Sequence, residues 1–206
     1  MRSHPIPAFL LPAVALILQL AVPARAGVVV VDPQGAPGGQ LLDAAIQAAH
    51  DGDILLVKPG DYVSFHPQAY GLGFRGLTLV ADGGGSPIRL PGVEVSSLPS
   101  TGRVHLRGFV LRPEGRDYDR SGLAVEWCDG TVVVEDCGLR GASARPSASF
   151  LPNGNGLFAA NSKSAVLARC SVQGGDAGPA TGQFTWPGGS GLALQNASAA
   201  LFDCTV

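Results

Sequence analysis

Ser121-Gly122-Leu123-Ala124-Val125, Asn155-Gly156-Leu157-Phe158-Ala159 and Ser190-Gly191-Leu192-Ala193-Leu194 are three copies of one phrase, and they lead to Glu135-Asp136-Cys137, Ala168-Arg169-Cys170 and Phe202-Asp203-Cys204. The glycines recur after 34 and 35 residues and the cysteines after 33 and 34. A self-similar period of that length marks one supersecondary unit stacked along an axis.

Each unit holds two short apolar runs with period-two alternation and no helical periodicity, so the units are coils of strands. In the first run Leu123, Leu157 and Leu192 fall in register, with Val125, Ala159 and Leu194 two residues on; Glu126, Ala160 and Gln195 take the outward parity. In the second run Val134, Leu167 and Leu201 point inward, followed by the three cysteines and then by Leu139, Val172 and Val206. Upstream, Leu106-Arg107-Gly108-Phe109-Val110-Leu111 aligns with Val134 to Leu139 and puts Phe109 in the cysteine position; Leu77-Thr78-Leu79-Val80 reads as an earlier rung. Ahead of them, the apolar residues 41, 42, 45, 46 and 49 of Gln40–His50 line one face of a short amphipathic helix. Such a helix is expected as a cap over the first coil, whose core would otherwise meet water.

The run Leu42-Asp43-Ala44-Ala45-Ile46-Gln47-Ala48-Ala49-His50-Asp51-Gly52-Asp53-Ile54-Leu55-Leu56-Val57-Lys58-Pro59-Gly60-Asp61-Tyr62 resembles the N-terminal signature of right-handed parallel β-helix proteins of the pectin lyase-like superfamily. The resemblance covers roughly residues 28 to 206 and implies an all-β, right-handed parallel β-helix, a solenoid with a short N-terminal capping helix. It implies no particular chemistry, because the superfamily holds lyases, hydrolases, esterases, epimerases, phage tailspikes and inert surface proteins.

Residues 1–26 have the basic start, the apolar stretch from Ala8 to Val22 and the Ala24-Arg25-Ala26 site of a secretory signal peptide; a transmembrane anchor is the alternative, disfavoured by Pro12 and Gln19. Residues 27–206 then form one β-helix domain, with a cap over about 27–62 and coils over about 63–206. No later segment is apolar for long enough to span a bilayer, so a secreted or cell-surface protein of bacterial-type export is expected. Loss of Arg2 and Arg25 leaves 12 basic against 16 acidic residues. With its arginines scattered or alternating with acids, the chain lacks the basic patch of a nucleic-acid binder. The sequence stops inside a strand, at Phe202-Asp203-Cys204-Thr205-Val206, so an incomplete C-terminal end is expected, with further coils or self-association through the open edge covering it.

Four cysteines in an exported protein suggest disulfides. The repeat favours a ladder of free thiols at one inward position, because parallel, in-register side chains about 4.8 Å apart fit disulfide geometry poorly; a Cys137–Cys170 or Cys170–Cys204 bridge is the alternative. Cys128 has no cysteine equivalent in the other coils.

Two long insertions, 142–154 and 176–189, fall at the same place in successive repeats, where a solenoid builds its binding surface. Phe150, Phe184 and Trp186 on them are flat rings suited to stacking on sugars, or equally to covering a hydrophobic edge. The loop Glu114, Arg116, Asp117, Asp119 and Arg120 has the residue types of a catalytic or cation-binding cluster. The resemblance implies that a lyase would set carboxylates such as Glu114, Asp117 and Asp119 around Ca²⁺, with Arg116 or Arg120 as base, and that a hydrolase would pair carboxylates as acid and base. A solvated, ion-paired turn explains the same residues more simply. None of the Asn-Thr-Asp, Gly-His-Gly, Trp-x-Asp-His or Gln-Asp-Thr-Leu elements of the superfamily's enzymes occurs with its context, so no catalytic residue is carried over and no cofactor is required. Asp136, Arg169 and Asp203 stack as a self-satisfying ladder. Asn161 and Asn196 begin an asparagine ladder whose place Trp127 takes in the earlier coil.

Two functions remain. One is a polysaccharide-binding or surface/adhesion module; the other is an extracellular lyase or glycoside hydrolase acting on an acidic glycan, with its catalytic residues in further C-terminal coils.

Overall fold

The structure, a computed structural model, describes residues 26–33, 38–60, 62, 70–72, 76–113, 121–143, 154–176, 178–181, 184–186 and 188–206. They form a parallel β-solenoid whose coils run through three sheets in turn. Sheet A orders the strands Val28–Val31, Ile54–Val57, Thr78–Ala81, Arg103–Arg107, Thr131–Glu135, Ser164–Ala168 and Ala199–Phe202. Sheet C stacks Ile88–Leu90, Phe109–Leu111, Gly138–Arg140 and Ser171–Gln173; sheet B stacks Tyr70–Gly71, Val93–Ser96, Leu123–Glu126, Leu157–Ala160 and Leu192–Gln195.

The columns expected from the repeat are the observed register. Leu123, Leu157 and Leu192 are lateral partners, as are Leu106, Val134, Leu167 and Leu201. The second apolar run of each repeat divides, because the chain bends between sheets A and C at Gly108, Asp136, Arg169 and Asp203, all with positive φ (82, 53, 53 and 52°). The cysteine follows the bend and turns back into the core. Phe109 N–H donates to Cys137 Sγ at 3.4 Å, so Phe109 stands in the cysteine column.

All four cysteines are free. Cys137 and Cys170 are buried and each thiol donates to the carbonyl two residues before it, at 3.1 and 3.3 Å. Burial pushes the Cys137 thiol up to about 12 and raises Cys170 as well, so neither offers a thiolate at neutral pH. Cys128 stacks on Ser162, whose hydroxyl accepts its N–H at 3.1 Å.

The helix spans Gly38–Ala48, two residues earlier at each end than its sequence pattern suggests, and contacts the first two strands of sheet A. Leu42, Ile46 and the following Ala49 are buried beneath it; Leu41, expected on the same face, lies at its exposed margin. Asp53 fastens this cap. Its carboxylate accepts the N–H groups of Gly27 and His50, both at 2.7 Å, joining the start of the first strand to the end of the helix segment. The bond from Gly27, followed by that from His50, holds the carboxyl below the usual aspartate range. Asp136 is lowered in the same way, first by its hydrogen bond from Arg169. A carboxylate with a depressed folded pKa stabilises above its unfolded value, near pH 4, and loses that contribution as the pH falls through the folded value. Thermal melts should therefore give a Tm that falls on acidification below about pH 4. Asp53→Asn should lower the Tm by several degrees at neutral pH and flatten that acid dependence; an unchanged acid limb would refute the anchor.

Candidate functional site

The last four strands of sheet B, from Val93–Ser96 onward, are each followed by a residue that turns the chain toward sheet A. These corner residues, Ser97, Trp127, Asn161 and Asn196, have φ of 57, 56, 49 and 49°. Their amides continue the ladder, with Ser97 N–H donating to Glu126 O at 3.0 Å, Trp127 N–H to Ala160 O at 3.0 Å and Asn161 N–H to Gln195 O at 2.9 Å. Asparagine tolerates the left-handed region better than most residues, whereas a bulky side chain there is unusual. Because the following residues, Leu98, Cys128 and Ser162, turn into the core, the corner side chains face outward.

Trp127 is 65% exposed. One and two rungs on, the Asn196 amide donates to Asn161 Oδ1 at 3.0 Å, the asparagine ladder anticipated from the repeat. Beside the asparagines an open hollow of about 580 Å³ is lined by Asp129, Ser162, Lys163, Ala197 and Ser198 as well as by the two amides. Lys163 Nζ lies 2.8 Å from Asp129 Oδ1 with both side chains mostly exposed, a pair that orders the rim and adds little stability. The Ser198 hydroxyl donates to Lys163 O. A flat apolar ring followed by donor–acceptor amides at rung spacing suits a ligand with C–H faces and hydroxyl edges.

A second cluster lies where sheet A ends. Arg169 Nε donates to Asp136 Oδ1 at 2.6 Å and Arg107 Nε to Asp136 Oδ2 at 3.3 Å. Glu135 Oε2 is 3.5 Å from His105 Nε2 and 3.9 Å from an Arg169 nitrogen. The charges cancel within the cluster, which extends the Asp136–Arg169 ladder and straps neighbouring coils together.

The two insertions and the Glu114–Arg120 loop each connect a strand of sheet C to the next strand of sheet B, so they share one corner. The bases of the two insertions are tied across coils: Arg140 and Ser143 both bind the Asp176 carboxylate, and Gly175 N–H donates to Gly154 O at 2.9 Å. Glu114, Arg116, Asp117, Asp119, Arg120 and Phe150 lie outside the described residues. Phe184 and Trp186 fall on an antiparallel hairpin, Gly178–Thr181 with Phe184–Trp186, within the second insertion; only its backbone is described. Among the described residues no three His, Cys, Asp or Glu side chains come together as a metal site, and no helix is long and apolar enough to cross a membrane. The sequence places Trp127 in the asparagine column but says nothing of its exposure, which depends on the sign of φ at the corner.

Compared with protein-family models, curated proteins and solved structures, the chain matches none.

Proposed function

We propose that this β-solenoid is a polysaccharide-binding module, displayed outside the cell on a β-helix of the pectin lyase-like type. The observation that carries this reading is Trp127, a large ring left exposed on a rigid corner beside stacked amides and a polar hollow. An exposed indole on a backbone pinned by ladder hydrogen bonds loses little conformational entropy on binding, which favours recognition.

Affinity electrophoresis through gels containing soluble plant and bacterial polysaccharides tests the proposal. At least one polysaccharide should retard the protein, and Trp127→Asn should reduce that retardation by about tenfold in apparent affinity, the scale of a binding hot spot. Asparagine suits the corner backbone, so the variant should keep its melting temperature. The same polysaccharides, incubated and assayed for new reducing ends or unsaturated products, address the lyase or hydrolase alternative. Cleavage that is lost in Asp117→Ala or Asp119→Ala would replace the binding-module reading with an enzyme.

A further inference from the structure

Resting on that reading, we infer that the ligand is an uncharged, linear glycan lying parallel to the solenoid axis, with one sugar unit facing each coil at the Trp127–Asn161–Asn196 column. The spacing carries the first half of the inference. Parallel strands sit about 4.8 Å apart, close to the advance of one sugar unit in an extended chain. Trp127, Asn161 and Asn196 occupy successive rungs in unbroken register, since Glu126, Ala160 and Gln195 just before them are lateral partners. A glycan aligned with the axis would stack one unit on the Trp127 ring and present hydroxyls of the next two to the amides. The asparagines keep donors and acceptors free for this: their mutual bond uses one Asn196 hydrogen and one lone pair of Asn161 Oδ1.

The electrostatics carry the second half. The column is uncharged, and the rim lysine, Lys163, is already neutralised by Asp129. The outward positions of sheet B that adjoin the column are Ser96, Glu126, Ala160 and Gln195, and the next column over is Glu94, Ala124, Phe158 and Ala193. The described strands of this sheet thus carry two carboxylates and no basic residue outward, which repels a polyuronate or a sulfated chain and leaves a neutral one unopposed.

The test is titration calorimetry of the purified full chain against neutral hexaoses of β-glucan, β-mannan and β-xylan, with hexagalacturonate as the acidic comparison. At least one neutral hexaose should bind at least about tenfold more tightly than hexagalacturonate and than its own disaccharide, the gain levelling off once three units are spanned. Trp127→Asn should weaken the binding by about tenfold; Asn196→Gly, which keeps the left-handed corner, should weaken the hexaose and leave the disaccharide unchanged, whereas Asn161→Gly should weaken both. If hexagalacturonate binds more tightly and Trp127→Asn removes that binding, the neutral-glycan inference fails while the binding module stands. Binding of a neutral hexaose that ignores all three substitutions overturns the column and moves the site elsewhere. If neither the oligosaccharides nor the polysaccharide gels show binding, both readings fall.

Discussion

Gly156→Ala should destabilise the chain by about 3 kcal/mol and leave little folded protein on expression. A Cβ built there would stand 2.8 Å from Gln173 N, from Gln173 O and from Gly191 O. All three are backbone atoms of neighbouring strands and bends, so no rotamer change relieves the contact; the coils themselves must separate. Gly122, one coil earlier, faces the same obstruction from Arg140 and Leu111. Gly191→Ala is the internal control. Its nearest obstacle is the Val206 side chain at 2.9 Å, with Val172 O at 3.0 Å, so the methyl can be accommodated more cheaply. Urea denaturation should give a midpoint for Gly191→Ala well above that of Gly156→Ala. Equal midpoints would mean that close backbone approach is not why the repeat keeps its glycine.

Leu106→Ala should cost about 2–5 kcal/mol, the range for deleting a fully buried leucine. Leu106 has no exposed surface and lies in the middle of the inward column formed with Leu79, Val134 and Leu167. Strands on both sides hold the backbone, so the cavity cannot collapse and the loss should fall in the upper part of that range. Leu201→Ala, on a side chain 39% exposed in the same column, should cost clearly less. Denaturant unfolding of the two variants measures the difference; a Leu106→Ala variant no worse than Leu201→Ala would contradict the ladder as the source of stability.

Most of the fold could be read from residue spacing, because a repeat records its own register. Once Leu123, Leu157 and Leu192 are seen as equivalents, their pairing follows, and so does the inward place of the cysteines. The division of the second run into two sheets was not legible, since the bend rests on a positive φ at Asp136, Arg169 and Asp203, residues with no common side chain. The hairpin Gly178–Thr181 with Phe184–Trp186 was hidden for a related reason: with three glycines and two prolines in 178–188, its composition reads as turn, and a short antiparallel pair has no partner in the neighbouring coils to betray it. The candidate site was half legible. Asn161, Asn196 and Trp127 could be aligned by number, whereas the hollow arises from how three successive corners turn, and the sheet B carboxylates matter only once Glu94 and Glu126 are seen on one face.

At the corner that carries Ser97, Trp127, Asn161 and Asn196, four different coils reach nearly the same φ with a hydroxyl, an indole and two amides, and the inter-coil bonds donated by the Ser97, Trp127 and Asn161 backbone amides make no use of those side chains. Selection can therefore edit that outward row one letter at a time, trading a ring for an amide or an amide for a hydroxyl, without renegotiating the architecture beneath. If that row binds a glycan as proposed, its specificity is easily changed, and descendants of this gene would diverge in what they recognise long before they diverge in shape.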